Sequence, residues 1–422
     1  MRPAQKYSTL LSLYVAQSIP MSFFSTVMPV IMRIENYSLE SIGLMQLIKI
    51  PWILKFFWSP WVDRSAGRRH GYKTWIIASE LFYAVVIISI GFFSLATDFR
   101  TIVVLMIVAF FLSATQDIAS DAVAIKILQK RQRSFGNSVQ SSGSFLGTLV
   151  GSGVLLVLYA SVGWQGMMFL LSGVVVVALI PLLLNVRNSD TLAPRDATPP
   201  RMRDIFTFFR SGIVVRRAFF LMIFYSGILG ILVLLKPFLV DLGYEVKKIG
   251  FIAGIYGTAI GAGCAFIAGL IIRKIGNRNA VMVMGLYSFL TALFFSAVLV
   301  RYPTPGVIYA GVAMLWSSYA MSSVVVYTVS MNLVRPGREG TDYSIQIVIT
   351  HLSGLLMAVV SGIIADRIGY GGFFNLEASW ALLVLVAAAL LYKEEGQAEL
   401  WETWMIRGRE KEKSLSWRLI RK

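Results

Sequence analysis

Two carboxylates, Asp117 and Asp121, stand four residues apart inside a long apolar run, in the segment Ser113-Ala114-Thr115-Gln116-Asp117-Ile118-Ala119-Ser120-Asp121-Ala122. On a helix that spacing sets both on one face. Two acids facing one partly dry region repel, and a bound proton relieves the repulsion. Reversible proton binding is what a proton-coupled carrier requires, so Asp117 and Asp121 are the leading coupling candidates. Structural ion pairing with Lys55 or with the basic loops is the competing use. Glu80 is a third acid within an apolar run and a further proton-relay candidate, as are His351 and Glu377.

Lys49 and Lys55 belong to another apolar run. Six residues apart on a helix, they point about 120° away from one another and serve different partners. Lys49 is placed to meet an anionic substrate group, and Lys55 to pair with an aspartate. Pro51 and Pro60 imply local kinks around Lys55. Neutral polar side chains recur in the other runs: Tyr14, Gln17, Gln46, Gln116, Gln140, Tyr319, Tyr327 and Gln346. A cavity lined by amides, phenols and a cation suits a bulky polar organic solute. Lys236, beside Pro237 at a run's outer end, fits snorkelling to the headgroups better than substrate contact.

The elements that must position these groups are membrane helices. Hydrophobic residues make up 56% of the 422-residue chain and charged residues 14%. Soluble domains carry about 25% charge, and one helix crossing needs about 20 apolar residues. Twelve spans can be drawn, at about 7–33, 41–62, 74–96, 101–125, 134–160, 164–186, 217–239, 247–272, 279–300, 305–331, 342–365 and 371–392. The expected fold is an all-α membrane protein of two pseudo-symmetric six-helix bundles. The chain divides into an N-terminal bundle over 1–190, a Pro-rich linker over 191–215, a C-terminal bundle over 216–392 and a basic tail over 393–422.

A Gly-centred basic loop, Asp63-Arg64-Ser65-Ala66-Gly67-Arg68-Arg69, has a looser copy in Ile272-Arg273-Lys274-Ile275-Gly276-Asn277-Arg278. Gly67 and Gly276 are 209 residues apart, almost half the chain, which marks an internal duplication. Asp63, Arg64, Gly67, Arg68 and Arg69, with Lys55, are gating candidates, because charged groups at a helix end can bridge to a neighbouring helix and part when the molecule opens. Topology anchoring is their plainer use. Lys and Arg crowd alternate loops, and by the positive-inside rule that puts both termini in the cytoplasm.

Several function classes drop out. The net charge of +17 sits in loops and calls for an anionic membrane face rather than nucleic acid. The single cysteine, Cys264, permits no internal disulfide, and His70 and His351 are too few for a histidine-based catalytic centre. No nucleotide-binding Gly-Lys-Ser/Thr loop is present. The expected protein is therefore a monomeric carrier, not an enzyme, with no cofactor and no resident metal. Its partners are a small-molecule solute, protons and the lipid bilayer.

The Asp63–Arg69 loop resembles the signature loop of the major facilitator superfamily. Ile42-Gly43-Leu44, Leu54-Lys55-Phe56-Phe57-Trp58-Ser59-Pro60, the Ser-Ala-Thr-Gln-Asp-Ile-Ala segment and Gly163-Trp164-Gln165-Gly166-Met167 are similar to its AmpG-like branch. That branch holds muropeptide permeases and siderophore importers. Lys236-Pro237-Phe238-Leu239-Val240-Asp241 and Gly340-Thr341-Asp342-Tyr343-Ser344-Ile345-Gln346 look more like the siderophore type, whereas Ser141–Gly147 departs from it. The resemblance implies twelve helices, alternating access and proton-driven import across a bacterial inner membrane. It favours a ferric siderophore as cargo, with an anhydromuropeptide as the alternative.

Overall fold

The structure is a computed structural model that describes residues 1–34, 48–66, 71–95, 97–186, 199–224 and 226–392. Every regular element among them is a helix. Eight described stretches are long and apolar enough to cross a membrane. Two of these, Lys247–Leu299 and Glu339–Leu390, each contain a glycine in the left-handed region, Gly276 (φ 80°) and Gly369 (φ 69°). Both fold back there: Ile252 near one end of the first packs in the same core as Phe295 and Leu299 near the other. Gly163 (φ 72°) makes the same turn after residue 162. A side chain would strain each of these turns, which is why glycine occupies them.

The described residues thus form twelve long helical segments, numbered in chain order: α1 (3–34), α2 (48–66), α3 (72–90), α4 (99–127), α5 (133–162), α6 (164–185), α7 (212–224 and 226–241), α8 (246–275), α9 (277–299), α10 (305–331), α11 (339–368) and α12 (370–391). The turns at Gly163 and Gly369 lie 206 residues apart and close equivalent pairs, α5–α6 and α11–α12. The duplication suggested by Gly67 and Gly276 is therefore also written in a second glycine pair. Gly67 itself, with Arg68, Arg69, Gln46, Ile42–Leu44 and the tail from 393, lies outside the described residues.

Side chains such as Leu184, Phe92 and Leu390 are largely exposed, as expected of a surface that faces lipid tails. Inside, small residues set how closely helices approach. Gly147 and Gly151 of α5 lie against the backbone carbonyls of Val15 and Ile19 on α1; a Cβ on Gly147 would come within 2.6 Å of Val15 O. The same helix turns serines toward the other bundle. Ser142 donates to the Ala262 carbonyl of α8 at 2.9 Å, and Gly269 of α8 fits against Ser134 and Ser138. Small-residue packing of this kind replaces the hydrophobic drive that is lost in lipid. Wider π turns interrupt α1 at Phe23–Val27, α5 at Val150–Val154 and α8 at Gly250–Tyr256.

The linker differs from the expected loop. Asp204–Phe208 is a short helix, and α7 begins at Gly212 rather than near 216. The linker helix is held by Arg335, which donates to the Asp204 carbonyl (3.0 Å) and to Thr207 Oγ1 (3.2 Å), and by Arg338, which pairs with the Asp204 carboxylate at 3.0 Å.

Candidate transport site and bundle clasp

The α2 helix breaks where its chemistry sits. Pro51 opens its first piece, a tighter turn spans Lys55–Phe57, and Pro60 begins the last piece. Pro60 has no N–H to offer the Phe56 carbonyl, and Ser59 Oγ takes that carbonyl at 2.9 Å instead. The break sets the fully buried Lys55 against α4, where its ammonium pairs with Asp117. Asp117 also accepts from Gln17 Nε2 of α1 at 2.7 Å. One turn further along α4, Asp121 accepts from the Tyr14 hydroxyl. Asp117 and Asp121 are 4% exposed each and so face protein rather than lipid. They lie close enough to interact directly.

The opposite bundle completes the cluster. His351 of α11 feels the charges of Lys55 and Asp117, Tyr327 of α10 those of Asp121 and Asp117, and Tyr343 lies near Tyr14. Tyr319 packs edge-on against Trp316 and against Phe145 of the first bundle. The set formed by Tyr14, Gln17, Lys55, Asp117, Asp121, Tyr327 and His351 therefore sits between the bundles. With two acids and one paired lysine, it has the means to take up and release a proton without moving a charge into lipid. His351, in the sequence a lone titratable residue of an apolar run, joins this set only through the tertiary structure, as does Tyr343 at its edge beside Tyr14.

Other expected site residues fall elsewhere. Gln346 is spent on structure: its amide nitrogen donates to the carbonyls of Ser330, Leu333 and Asp342, satisfying the end of α10. Glu80 lies on α3 beside Tyr83, which reaches toward Ser113 on the neighbouring α4, so it occupies a seam inside one bundle rather than the Lys55–Asp117 cluster. Both its oxygens are buried without a hydrogen-bond partner. Gln116 turns its amide nitrogen to Ser120 of its own helix at 2.9 Å. Gln140 is buried with its amide nitrogen unpartnered, and Lys49 is half-buried where α2 begins. Gln46 is outside the described residues.

A second constellation joins the bundles at the end that carries the basic loops. Asp63, fully buried at the tip of α2, accepts from Gly340 N (3.0 Å), Thr341 N (2.8 Å), Thr341 Oγ1 (2.6 Å) and the Tyr72 hydroxyl (2.7 Å). Gly340 and Thr341 open α11, so a carboxylate of one bundle caps a helix of the other. The first N–H groups of a helix lack internal partners and carry partial positive charge, and a carboxylate answers both needs. Gly340 is required: a Cβ there would meet Asp63 Oδ1 at 2.7 Å and Ile118 at 2.8 Å. The mirror-image contact lies nearby. Arg133 of α5 donates to the Met331 carbonyl (2.8 Å) and to Asn332 Oδ1 (3.0 Å) at the end of α10, where a cation suits the helix terminus. Lys126 pairs with Glu339 at 3.6 Å.

Asp63 lies beyond the apolar part of α2, in the layer of the loops. Burial pushes its carboxyl up to about 7; the bonds from Thr341 and Tyr72 pull it down, and neighbouring Glu339 adds to the rise. Of the expected gate residues among the described ones, Asp63 bonds directly across the bundles, and Lys55 pairs with Asp117 inside its own bundle. Arg64 is exposed, and Gly67, Arg68 and Arg69 fall outside the described residues. The Gly340-Thr341-Asp342 segment, read from the sequence as a mark of cargo type, serves this clasp. Asp342 also holds Arg335, at 2.6 Å. Among the described residues no group of acids, histidines and cysteines could hold a metal ion.

The chain is 28% identical to the anhydromuropeptide permease of Escherichia coli (strain K12) over 290 residues, 66% of this chain and 57% of that protein. It thus spans little more than half the length of that relative. It is 25% identical over 410 residues to transporter AmpG 3 of Rickettsia prowazekii (strain Madrid E), covering 92% of this chain and 95% of that one. Among solved structures it superposes on a bacterial homologue of the iron transporter ferroportin in an outward-facing state, with a TM-score of 0.70, 14% identity and 93% and 99% of the two chains covered. The transporter FucP in its outward conformation also gives 0.70, at 13% identity, with 93% and 99% covered. At such identities these two likenesses speak for the fold alone. The ferric-siderophore expectation finds no support in these relatives, whose names point to the muropeptide alternative. The model of the Major Facilitator Superfamily matches residues 10–354, so this chain, a multi-pass membrane transporter and not an enzyme, belongs to that superfamily.

Proposed function

We propose that the chain imports an anhydromuropeptide across the bacterial inner membrane by proton-coupled alternating access. The observation that carries this reading is the buried Lys55–Asp117–Asp121 cluster between the bundles, in a chain similar to a named anhydromuropeptide permease. Such a solute joins sugar hydroxyls, peptide amides and carboxylates. Lys55 exchanges Asp117 for a substrate carboxylate, and the acid so released takes up the proton. Tyr14, Gln17 and Tyr327 supply hydroxyl and amide partners. In this cycle Asp117 and Asp121 couple the proton, and the Asp63 clasp holds one end shut. With the basic loops in the cytoplasm, that end is the cytoplasmic one.

The direct test is uptake of radiolabelled anhydromuropeptide and of a ferric siderophore into cells that lack their own importers. Accumulation of the first, abolished by a protonophore, is the expected outcome. Accumulation of the siderophore alone reverses the cargo, and insensitivity to the protonophore removes proton coupling.

A further inference from the structure

The carboxylate cap that Asp63 makes has no counterpart at the equivalent position of the second repeat. The repeat that relates Gly67 to Gly276 relates Asp63 to Ile272, which is buried and apolar. Where the first side has a carboxylate reaching a helix start, the second has Arg273 beside Ile272, close to the start of α5. Between the first turn of α1, the α4–α5 connection and the end of α8 lies a crevice of about 380 Å³. Its walls come from both bundles and include Arg131, Gln132, Tyr7 and Phe135 of the first, and Leu270 and Arg273 of the second. None of the residues lining it is acidic. Neither Arg131 nor Arg273 has a hydrogen-bond or ion-pair partner among the described residues, and these two guanidinium groups of opposite bundles line one space.

The surroundings say what kind of anion fits. Gln132 has its amide oxygen taken by Lys6 Nζ (3.0 Å) and by Gln129 N (3.2 Å), which leaves its NH2 donors unspent. Tyr7, Phe135 and Phe266 form an edge-on aromatic run across the bundle seam, with centroids at 4.8 and 5.3 Å. Below Arg273 on α8, Leu270, Ile267 and Phe266 are 48%, 50% and 44% exposed and descend away from the loops. A donor-rich, acid-free mouth above an exposed apolar wall matches a phosphate headgroup that carries acyl chains. A guanidinium binds phosphate oxygens in a two-pronged fashion, and a free anion makes no use of the wall.

We propose that this crevice binds the phosphodiester headgroup of an anionic phospholipid, which bridges Arg131 and Arg273 and clips the bundles together where the protein supplies no carboxylate of its own. The lipid there does for the α5–α8 side what Asp63 does for the α2–α11 side. Closure of this end then depends on lipid composition as well as on the solute.

The test uses the full-length purified protein in detergent, titrated with phosphatidylglycerol or phosphatidylcholine, with bound lipid read by native mass spectrometry. A basic residue near a membrane surface contributes about 1 kcal/mol, about fivefold in affinity. Arg131→Gln combined with Arg273→Gln is therefore expected to weaken phosphatidylglycerol binding roughly 25-fold, while the double lysine variant stays within about fivefold of the parent. Spin labels across the seam, at Gln129 and Lys274, are expected to report a larger closed population when phosphatidylglycerol is added. If the double glutamine variant fails to fold, the preference of the unaltered protein for phosphatidylglycerol over phosphatidylcholine, and the single variants, still decide. Equal binding of the two lipids, arginine-independent binding or an unmoved closed population overturns the proposal. Inorganic phosphate binding with the same arginine dependence and displacing the lipid overturns the lipid assignment.

Discussion

Asp63 accepts both the backbone N–H of Thr341, at 2.8 Å, and its hydroxyl, at 2.6 Å. The two residues are 278 positions apart, in different bundles. A helix cap is ordinarily a local device, made within a turn of the helix it ends. Here it is made between the two bodies that must separate for alternating access, so opening that end uncaps α11. The cost of opening includes these hydrogen bonds together with the apolar contacts packed across the same end, where Val62, Ile118 and Ala122 share a buried cluster with Met331, Tyr343 and Ile347.

Replacing Asp63 with alanine leaves the Gly340 and Thr341 N–H groups to water. A lost cap costs about 1 kcal/mol, which is about a fivefold fall in the closed-to-open ratio. Distance measurements between labels on α2 and α11 are expected to show that shift, with slower uptake and normal membrane insertion. An unchanged distribution would reduce Asp63 to a topology anchor.

The same carboxyl gives closure a pH dependence. It is held at about 7 in the clasp and returns toward the ordinary carboxylate range, near 4, when the clasp opens. The closed state therefore binds more protons than the open one, and raising the pH through this window weakens closure until about 7, beyond which it is flat. Closed-state population followed from pH 5 to 8 on the loop side is expected to fall in the parent. The slope is expected to vanish in Asp63→Asn.

Lys55 and Asp117 form a buried pair, and removing one partner strands the other. Asp117→Asn is expected to abolish accumulation, and Lys55→Ala to destabilise the fold on the order of 3–5 kcal/mol. The double variant Lys55→Ala with Asp117→Ala should regain much of that stability without regaining uptake. Thermal unfolding and uptake measured on the same preparations separate the two effects; recovery of uptake would make the pair merely structural.

Glu80 provides the contrast. Both its oxygens are buried and unpartnered in the α3–α4 seam. Glu80→Leu is expected to preserve uptake and to raise stability by about 1–3 kcal/mol, the usual cost of an unsatisfied buried polar group. Loss of uptake with an intact fold would return Glu80 to the proton path.

Gly147 sets the approach of α5 to α1. A Cβ would come within 2.6 Å of the Val15 carbonyl and 2.7 Å of Ser18 Cβ. Gly147→Val is expected to destabilise by about 1–3 kcal/mol through overpacking, read as a lower thermal midpoint. A neutral effect would mean the helices can part without loss.

Helix number, the duplication and the one-sided placement of Asp117 and Asp121 were legible in the sequence because each depends on local spacing: runs long enough for a bilayer, glycines at half-chain distance, two acids one turn apart. Partners were legible only in part: an aspartate could be expected for Lys55. That it meets Asp117 rather than Asp121, that Asp63 caps α11, that Gln346 serves the end of α10 and that Glu80 sits inside its own bundle depend on which helix faces pack together. Helical periodicity gives a side chain a direction about its own axis and is silent about which neighbour stands there. The contacts that decide function here join residues up to 278 positions apart, and only the folded arrangement of the two bundles selects them.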